Sequence, residues 1–340
     1  MSEFTYNLPE ERIAKFPPRE RGTTRLLVLD RKSGVMDHRK YSDCIEYFEE
    51  GDVIVLNETK VEKRRTFFVD NKGRVFEVLF LNKQEGGSWF CLIRKSKYLV
   101  EGDILFNQED NEIEVEVKEK REDGCIVIFH SRLPENEVFE RVGHTPIPPY
   151  MKRVDTKEDF ERYNTVFGKN FGSVASPTAS LNLTDDMLEE IKRKGVRIVK
   201  VELKVGWGTF APVREQNVEE HQIHEEQIFL SEESSRIINA TISSGGDVWA
   251  FGTTVARLLE SCATLGGFVK AFGGNTNLFI YPGYEWKIVD HLITNFHMPD
   301  SSLLLLVSSF AGTEIIKRAY KEGLGKKYMF LSYGDSMLIR

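Results

Sequence analysis

Cysteine is scarce and scattered. Cys44, Cys91, Cys125 and Cys262 form no CxxC pair and no close cluster with histidine. Neither a disulfide framework nor a zinc site has its ligands at such spacing, so a reduced, cytoplasmic setting is expected. Long apolar runs are missing too. The run at 303–307 falls far short of the roughly 20 residues that span a bilayer, and no membrane association is expected. The opening MSEFTYNLPEER lacks the basic-then-apolar order of a signal peptide. There is no GxSxG, no P-loop and no GxGxxG after a strand, so the common hydrolase, nucleoside triphosphatase and dinucleotide readings lack support. Neither an internal repeat nor a low-complexity stretch is visible. Excess positive charge is also absent. The net charge of −7 argues against coating nucleic acid through bulk charge. Local basic clusters remain at Arg19/Arg21/Arg25, Lys60/Lys63/Arg64/Arg65, Arg94/Lys95/Lys97 and Lys152/Arg153, each by itself compatible with a solvated face.

What is present is enough chain for about two domains: 340 residues, 41% hydrophobic and 29% charged, as in soluble globular proteins. Residues 26–30 (LLVLD) and 53–56 (VIVL) read as buried strands. From about 64 to 153 the character changes. Short strands at 75–81, 89–93, 104–106, 113–117 and 125–129 alternate with turn signals, which suggests a small antiparallel barrel or sandwich. A proline-rich exit, TPIPPY at 145–150, closes it.

Beyond that exit strands alternate with helices, implying a largely parallel sheet. Thr184 begins a helix that Gly195 ends, and Ser231 begins another that Gly245-Gly246 ends. Strands are expected at 196–205, 248–251, 278–281 and 288–296, and a last helix at 313–322. The helix after Gly252-Thr253-Thr254 carries an apolar stripe at Val255, Leu258, Leu259 and Cys262. The expected architecture is a discontinuous α/β domain, residues 1–63 and 153–340, with a mixed, largely parallel sheet. A β-barrel domain, residues 64–152, is inserted in it.

The stretch KIVDHLITNFHMPDSSLLLLVSSFAG at 287–312 reads as strand, loop and helix. It sets Asn295 and His297 at a strand's carboxyl end, where ligands of open α/β sheets bind. His297 is thus a proton-transfer candidate, or else a histidine bonded to a loop carbonyl. The helix start at Gly252-Thr253-Thr254 suits an anion. Arg257 in its early turns is either solvated or matched by an anionic partner. Trp207 between two glycines can stack on a base or simply pack. His221 and His224 are spaced for a metal on a helix, yet no third ligand stands nearby, so no metal is expected. His224 beside Glu225 and Glu226 is a second acid/base candidate.

Taken together, TRLLVLDRKSG (24–34), GDVIVLNETKV (51–61), PIPPYMKR (146–153), GSVASPTASL (172–181), VGWGTFAPV (205–213), EEHQIHEE (219–226), FGTTVARLLES (251–261), LFIYPGY (278–284), the 287–312 stretch and SYGDSMLI (332–339) resemble the S-adenosylmethionine:tRNA ribosyltransferase-isomerase family of queuosine biosynthesis. The resemblance implies an α/β domain interrupted by a β-barrel. It implies transfer of the ribosyl part of S-adenosylmethionine, a consumed co-substrate, to 7-aminomethyl-7-deazaguanine at the wobble position of tRNA. Epoxyqueuosine forms, and adenine and methionine leave. It further implies a cytoplasmic protein without a metal, taken here as a monomer. In that chemistry His297 and His224 are the acid/base candidates. Thr253, Thr254 and Arg257 would meet the methionine carboxylate or a tRNA phosphate, Tyr281 and Trp207 would stack, and Asn295 would contact the co-substrate. The family's PTAGLHF reads PTASLNL here, with Asn182 for a histidine. HVGLGTF reads KVGWGTF, with Lys204 for a histidine, and GTTSVR reads GTTVAR. His224 and His297 keep their places.

Overall fold

The computed structural model describes residues 4–206, 218, 223 and 225–340. The chain forms two compact units. One comprises Met1–Lys60, Pro148–Arg153 and Glu161–Arg340; the other comprises Val61–Ile147 and Val154–Phe160.

The first unit is built on a nine-stranded sheet. Its strands, in chain order, are β1 (Arg25–Leu29), β2 (Met36–Lys40), β3 (Val53–Asn57), β4 (Arg197–Leu203), β5 (Glu226–Leu230), β6 (Val248–Phe251), β7 (Phe272–Thr276), β8 (His291–Asn295) and β9 (Ser336–Ile339). In space they run β7-β5-β4-β3-β6-β8-β9-β1-β2. The centre, β4-β3-β6-β8, is parallel throughout, and β9 is parallel to β1. The remaining pairings are antiparallel.

The β-branched VIVLN of β3 is buried along its whole length because both faces of the sheet are covered. Val53 and Val55 pack into one core with the apolar stripe of α3, while Ile54 and Leu56 pack into a second with Leu188 and Ile191. The helices are α1 (Asp185–Arg193), α2 (Glu232–Ser244), α3 (Thr253–Ser261), α4 (Ser302–Ala311) and α5 (Thr313–Gly325). Their ends follow the expected chemistry. The Thr184, Ser231 and Ser301 hydroxyls accept the Met187, Ser234 and Leu304 N–H groups. Gly245 ends α2 in the left-handed region at φ +79°.

The second unit contains a closed antiparallel barrel of six strands, ordered 125–130, 89–93, 75–83, 65–69, 104–107 and 114–120. Phe68, Phe76, Phe80, Val115 and Val117 fill its interior, and helix Glu135–Val142 adds Val138 and Val142. The mixed α/β sheet with a closed antiparallel barrel is the fold class that the sequence leads one to expect.

Several elements differ from expectation for physical reasons. No strand forms at 278–281; β7 precedes it, in the glycine-containing FGGNT. Pairing with β5 at the sheet edge overrides the weak strand preference of its glycines. Strand β2, MDHRK, is charged because it is an edge strand, which hides it from an apolar pattern. The helix Glu135–Val142 and the strand Arg65–Val69 also escape the sequence reading. β8 is shorter than the apolar run 288–296. The N–H groups of Ile288 and Val289 donate to Glu260 Oε1 (2.9 and 3.1 Å) instead of to a neighbouring strand.

Glu260 is buried at the end of α3. Its Oε2 also accepts from the Lys287 N–H (3.0 Å) and the Tyr284 hydroxyl (3.1 Å). Glu260→Gln turns one acceptor into a donor facing other donors. We expect it to lower the unfolding free energy by about 2 kcal/mol, read from denaturant titration, since buried hydrogen bonds to charged groups each contribute roughly 1.5–3 kcal/mol.

Candidate active site

The central parallel strands open at their carboxyl ends into a cleft of about 880 Å³, counting its open mouth. Its walls come from four segments of the first unit: 175–179, 252–254, 294–299 with Ser301 and Leu303, and 331–332, with Tyr150 and Val205 beside them.

β6 ends at Phe251, and Gly252 turns the chain into α3 with φ +96°. That angle suits glycine alone, and a Cβ there would sit 3.4 Å from the Ala179 methyl. No side chain caps α3, and Thr253 and Thr254 are buried on the cleft.

β8 lies parallel beside β6, with Ile293 opposite Phe251. Asn295, two residues on, ends β8 and lines the cleft together with Thr253. Asn295 is 3% exposed. Its Oδ1 accepts from the Thr178 hydroxyl (2.8 Å), and its Nδ2 has no partner among the described residues. Ser176 Oγ, also buried, is likewise without a partner among them.

His297 is 8% exposed. Its Nε2 is 2.9 Å from the Thr294 hydroxyl, its N–H donates to the Tyr320 hydroxyl (2.9 Å), and its carbonyl accepts from the Tyr6 hydroxyl. Burial pushes the ring's pKa down to about 3, so it is a neutral imidazole at pH 7. Burial raises Tyr150 to about 12. No Asp, Glu, Lys or Arg stands among the described lining residues. Their surface is mostly apolar, with uncharged hydroxyls, one amide and one neutral imidazole as its polar groups beside the partial positive charge of the α3 amino end.

Four of the sequence-derived candidates, Thr253, Thr254, Asn295 and His297, meet in this cleft. Arg257 does not line it. It is buried in an ion pair with Glu226, and its Nε donates to the Leu278 carbonyl (3.1 Å). Its anionic partner is thus a carboxylate of the protein itself, and the solvated alternative fails. Tyr281 is half-buried against Phe279, with ring centroids 5.3 Å apart, and is not among the lining residues. Trp207 and His224 lie outside the described residues.

Sequence reasoning missed Tyr150, Ser176, Thr178 and Thr294. The first three sit inside quoted motifs, PIPPYMKR and GSVASPTASL, so the signal was present without any residue standing out. Asn182 and Lys204, the departures from the family pattern, do not line the cleft. Lys204 instead lies 3.9 Å from Glu202. Several clustered arginines serve the fold. Arg21 donates to the carbonyls of Leu181, Glu161 and Asn164, Arg153 to that of Lys15, and Arg162 to those of Pro18 and Arg19. Among the described residues, no group of three His, Cys, Asp or Glu side chains could hold a metal ion, and no helix is long and apolar enough to cross a membrane.

A family model described as a queuosine biosynthesis protein matches residues 1–339. The chain belongs to this queuosine biosynthesis family. Proteins named S-adenosylmethionine:tRNA ribosyltransferase-isomerase are similar along their full length. The one from Syntrophomonas wolfei is 42% identical, with 100% of this chain and 97% of that protein covered. The one from Chlorobaculum parvum is 45% identical, with 100% and 99% covered. A crystal structure of an S-adenosylmethionine tRNA ribosyltransferase from Thermotoga maritima is 34% identical. It covers 99% of this chain and 100% of that one, with a TM-score of 0.57. Family membership and fold thus agree with the ordered motif set.

The neutrality of His297 is testable through stability. Its pKa falls from the ordinary 6.5 to about 3 on folding, so the folded state binds fewer protons between those values. The stability gained by holding the ring neutral is complete above about pH 6.5 and is lost as pH falls toward 3. In denaturant titrations of wild type and His297→Gln, the wild type's relative stability should decline steadily from pH 7 to pH 4. A difference independent of pH would show that burial does not hold the ring neutral.

Proposed function

We propose that this chain transfers and isomerises the ribosyl part of S-adenosylmethionine onto 7-aminomethyl-7-deazaguanine at the wobble position of tRNA. The product is epoxyqueuosine-tRNA, and adenine and methionine are released. The observation that carries this reading is a cleft whose described lining bears no ionised side chain and one neutral imidazole, in a chain of the queuosine biosynthesis family whose full-length relatives bear that enzyme name.

The sulfonium acidifies the neighbouring 5′ carbon, so a modest base suffices to remove its proton. Among the described lining residues, His297 is the one neutral imidazole. A ring with depressed proton affinity gives the proton up again readily, which suits its later delivery to the departing adenine nitrogen. The resulting ylide opens the ribose ring, and the sulfur leaves as neutral methionine. Thr294 orients the ring through Nε2. His224 remains a second acid/base candidate, and Trp207 and Tyr281 remain stacking candidates. Arg257, paired with Glu226, acts through position rather than by direct contact. Glu226 Oε1 also accepts from Gly206 N–H (3.0 Å), which ties α3 to the residues that follow β4. S-adenosylmethionine is consumed, and the reaction needs no metal. The protein works as a cytoplasmic monomer, with residues 1–63 and 153–340 carrying catalysis and the barrel at 64–152 inserted. A wobble base must leave its stack to react, at a cost of about a few kcal/mol. Arg21 and Arg153 apart, the basic residues at 19–25, 60–65 and 152–153 supply phosphate contacts toward that end.

The test is adenine release from S-adenosylmethionine with tRNA carrying the modified base, with unmodified tRNA as control. Adenine and methionine should appear only with the modified tRNA. S-adenosylhomocysteine as product would make the chain a methyltransferase instead, and tight tRNA binding without turnover would make it an RNA-binding protein. His297→Ala should lower kcat by roughly 10²–10⁴-fold, the usual range for loss of an acid/base group, while leaving binding of S-adenosylmethionine largely intact.

A further inference from the structure

The amino end of α3 and two buried side chains with unspent hydrogen-bonding atoms share the cleft. The first intrahelical bond of α3 runs from Ala256 N–H to the Gly252 carbonyl (3.1 Å). The N–H groups of Thr253, Thr254 and Val255 therefore have no partner within the helix, and no side chain caps them. The Gly252 N–H is taken by the Ile293 carbonyl (2.7 Å), which locks the β6 end of this turn to β8. Two residues on from Ile293, Asn295 ends β8 and lines the same cleft as that first turn. Asn295 Oδ1 accepts from the Thr178 hydroxyl, and Nδ2, a pure donor, has no partner among the described residues. Ser176 Oγ adds a hydroxyl, also buried and without a partner among the described residues. Unsatisfied buried donors are costly, and these converge on one cleft.

Donors gathered at a helix's amino end, with no carboxylate among the described lining residues, accept a negatively charged oxygen. Arg257, the cation the sequence offers for that role, does not line the cleft and is already matched by Glu226. We infer that the α3 amino end, Asn295 Nδ2 and Ser176 Oγ form a carboxylate subsite, which holds the α-carboxylate of the methionyl part of S-adenosylmethionine. The inference rests on the function proposed above and assigns the carboxylate to backbone and amide donors, not to Arg257. Thr178 is a positioning residue in this arrangement.

The test compares S-adenosylmethionine with its decarboxylated form, which differs only by the carboxylate. Each is titrated calorimetrically into the full chain, alone and saturated with unmodified tRNA, where no turnover occurs. The wild type should bind the decarboxylated compound at least about tenfold more weakly, as expected for loss of charge-assisted hydrogen bonds. Asn295→Asp puts negative charge where the donor stood. It should weaken S-adenosylmethionine and close that gap, with thermal unfolding as the check on folding. Ser176→Ala should narrow the gap and serves if the aspartate variant does not fold. Equal affinities in the wild type, or a gap that neither variant changes, would overturn the carboxylate subsite and leave the co-substrate reading standing. Binding of neither compound under either condition would overturn both.

Discussion

Glu260 gathers the N–H groups of Lys287, Ile288 and Val289 and the Tyr284 hydroxyl around a carboxylate almost cut off from water. A buried charge survives only when it is satisfied this fully. The consequence is positional. Glu260 sits near the end of α3, whose other end opens on the cleft, and the segment it grips leads into β8, whose far end carries Asn295 and His297. One carboxylate therefore ties together the two elements whose ends make the site. The Gly252–Ile293 hydrogen bond closes the same frame at the cleft.

That frame leaves the described lining of the site without ionised side chains at neutral pH. The charge on α3 is neutralised inside the protein by the Arg257–Glu226 pair, and the imidazole of His297 is held neutral by burial. What remains is a set of oriented dipoles: a helix amino end, threonine and serine hydroxyls and one asparagine amide. Fixed dipoles of this kind need little rearrangement as charge moves during a reaction.

The departures from the family's motif pattern are compatible with this arrangement. Asn182 is buried but does not line the cleft, and Lys204 lies alongside Gly172 and near Glu202. The cleft depends instead on segments that match the pattern closely, among them the FGTT turn and the NFHMP loop.

Periodicity and cap chemistry determined the α/β sheet with an inserted all-β domain, most barrel strands, the helix ends at Thr184, Ser231 and Gly245, and the placement of Thr253, Asn295 and His297 at strand ends. Those features depend on local rules: alternation for strands, hydroxyl acceptors at helix starts, glycine where φ is positive. Tertiary structure decided what local rules cannot reach. Arg257 turned inward because Glu226, 31 residues earlier, offers a buried carboxylate. The FGGNT segment became a strand because β5 presents a free edge. Ser176 and Thr178 joined Asn295 across 117 residues or more of chain, since a cleft gathers side chains by sheet register and not by sequence spacing.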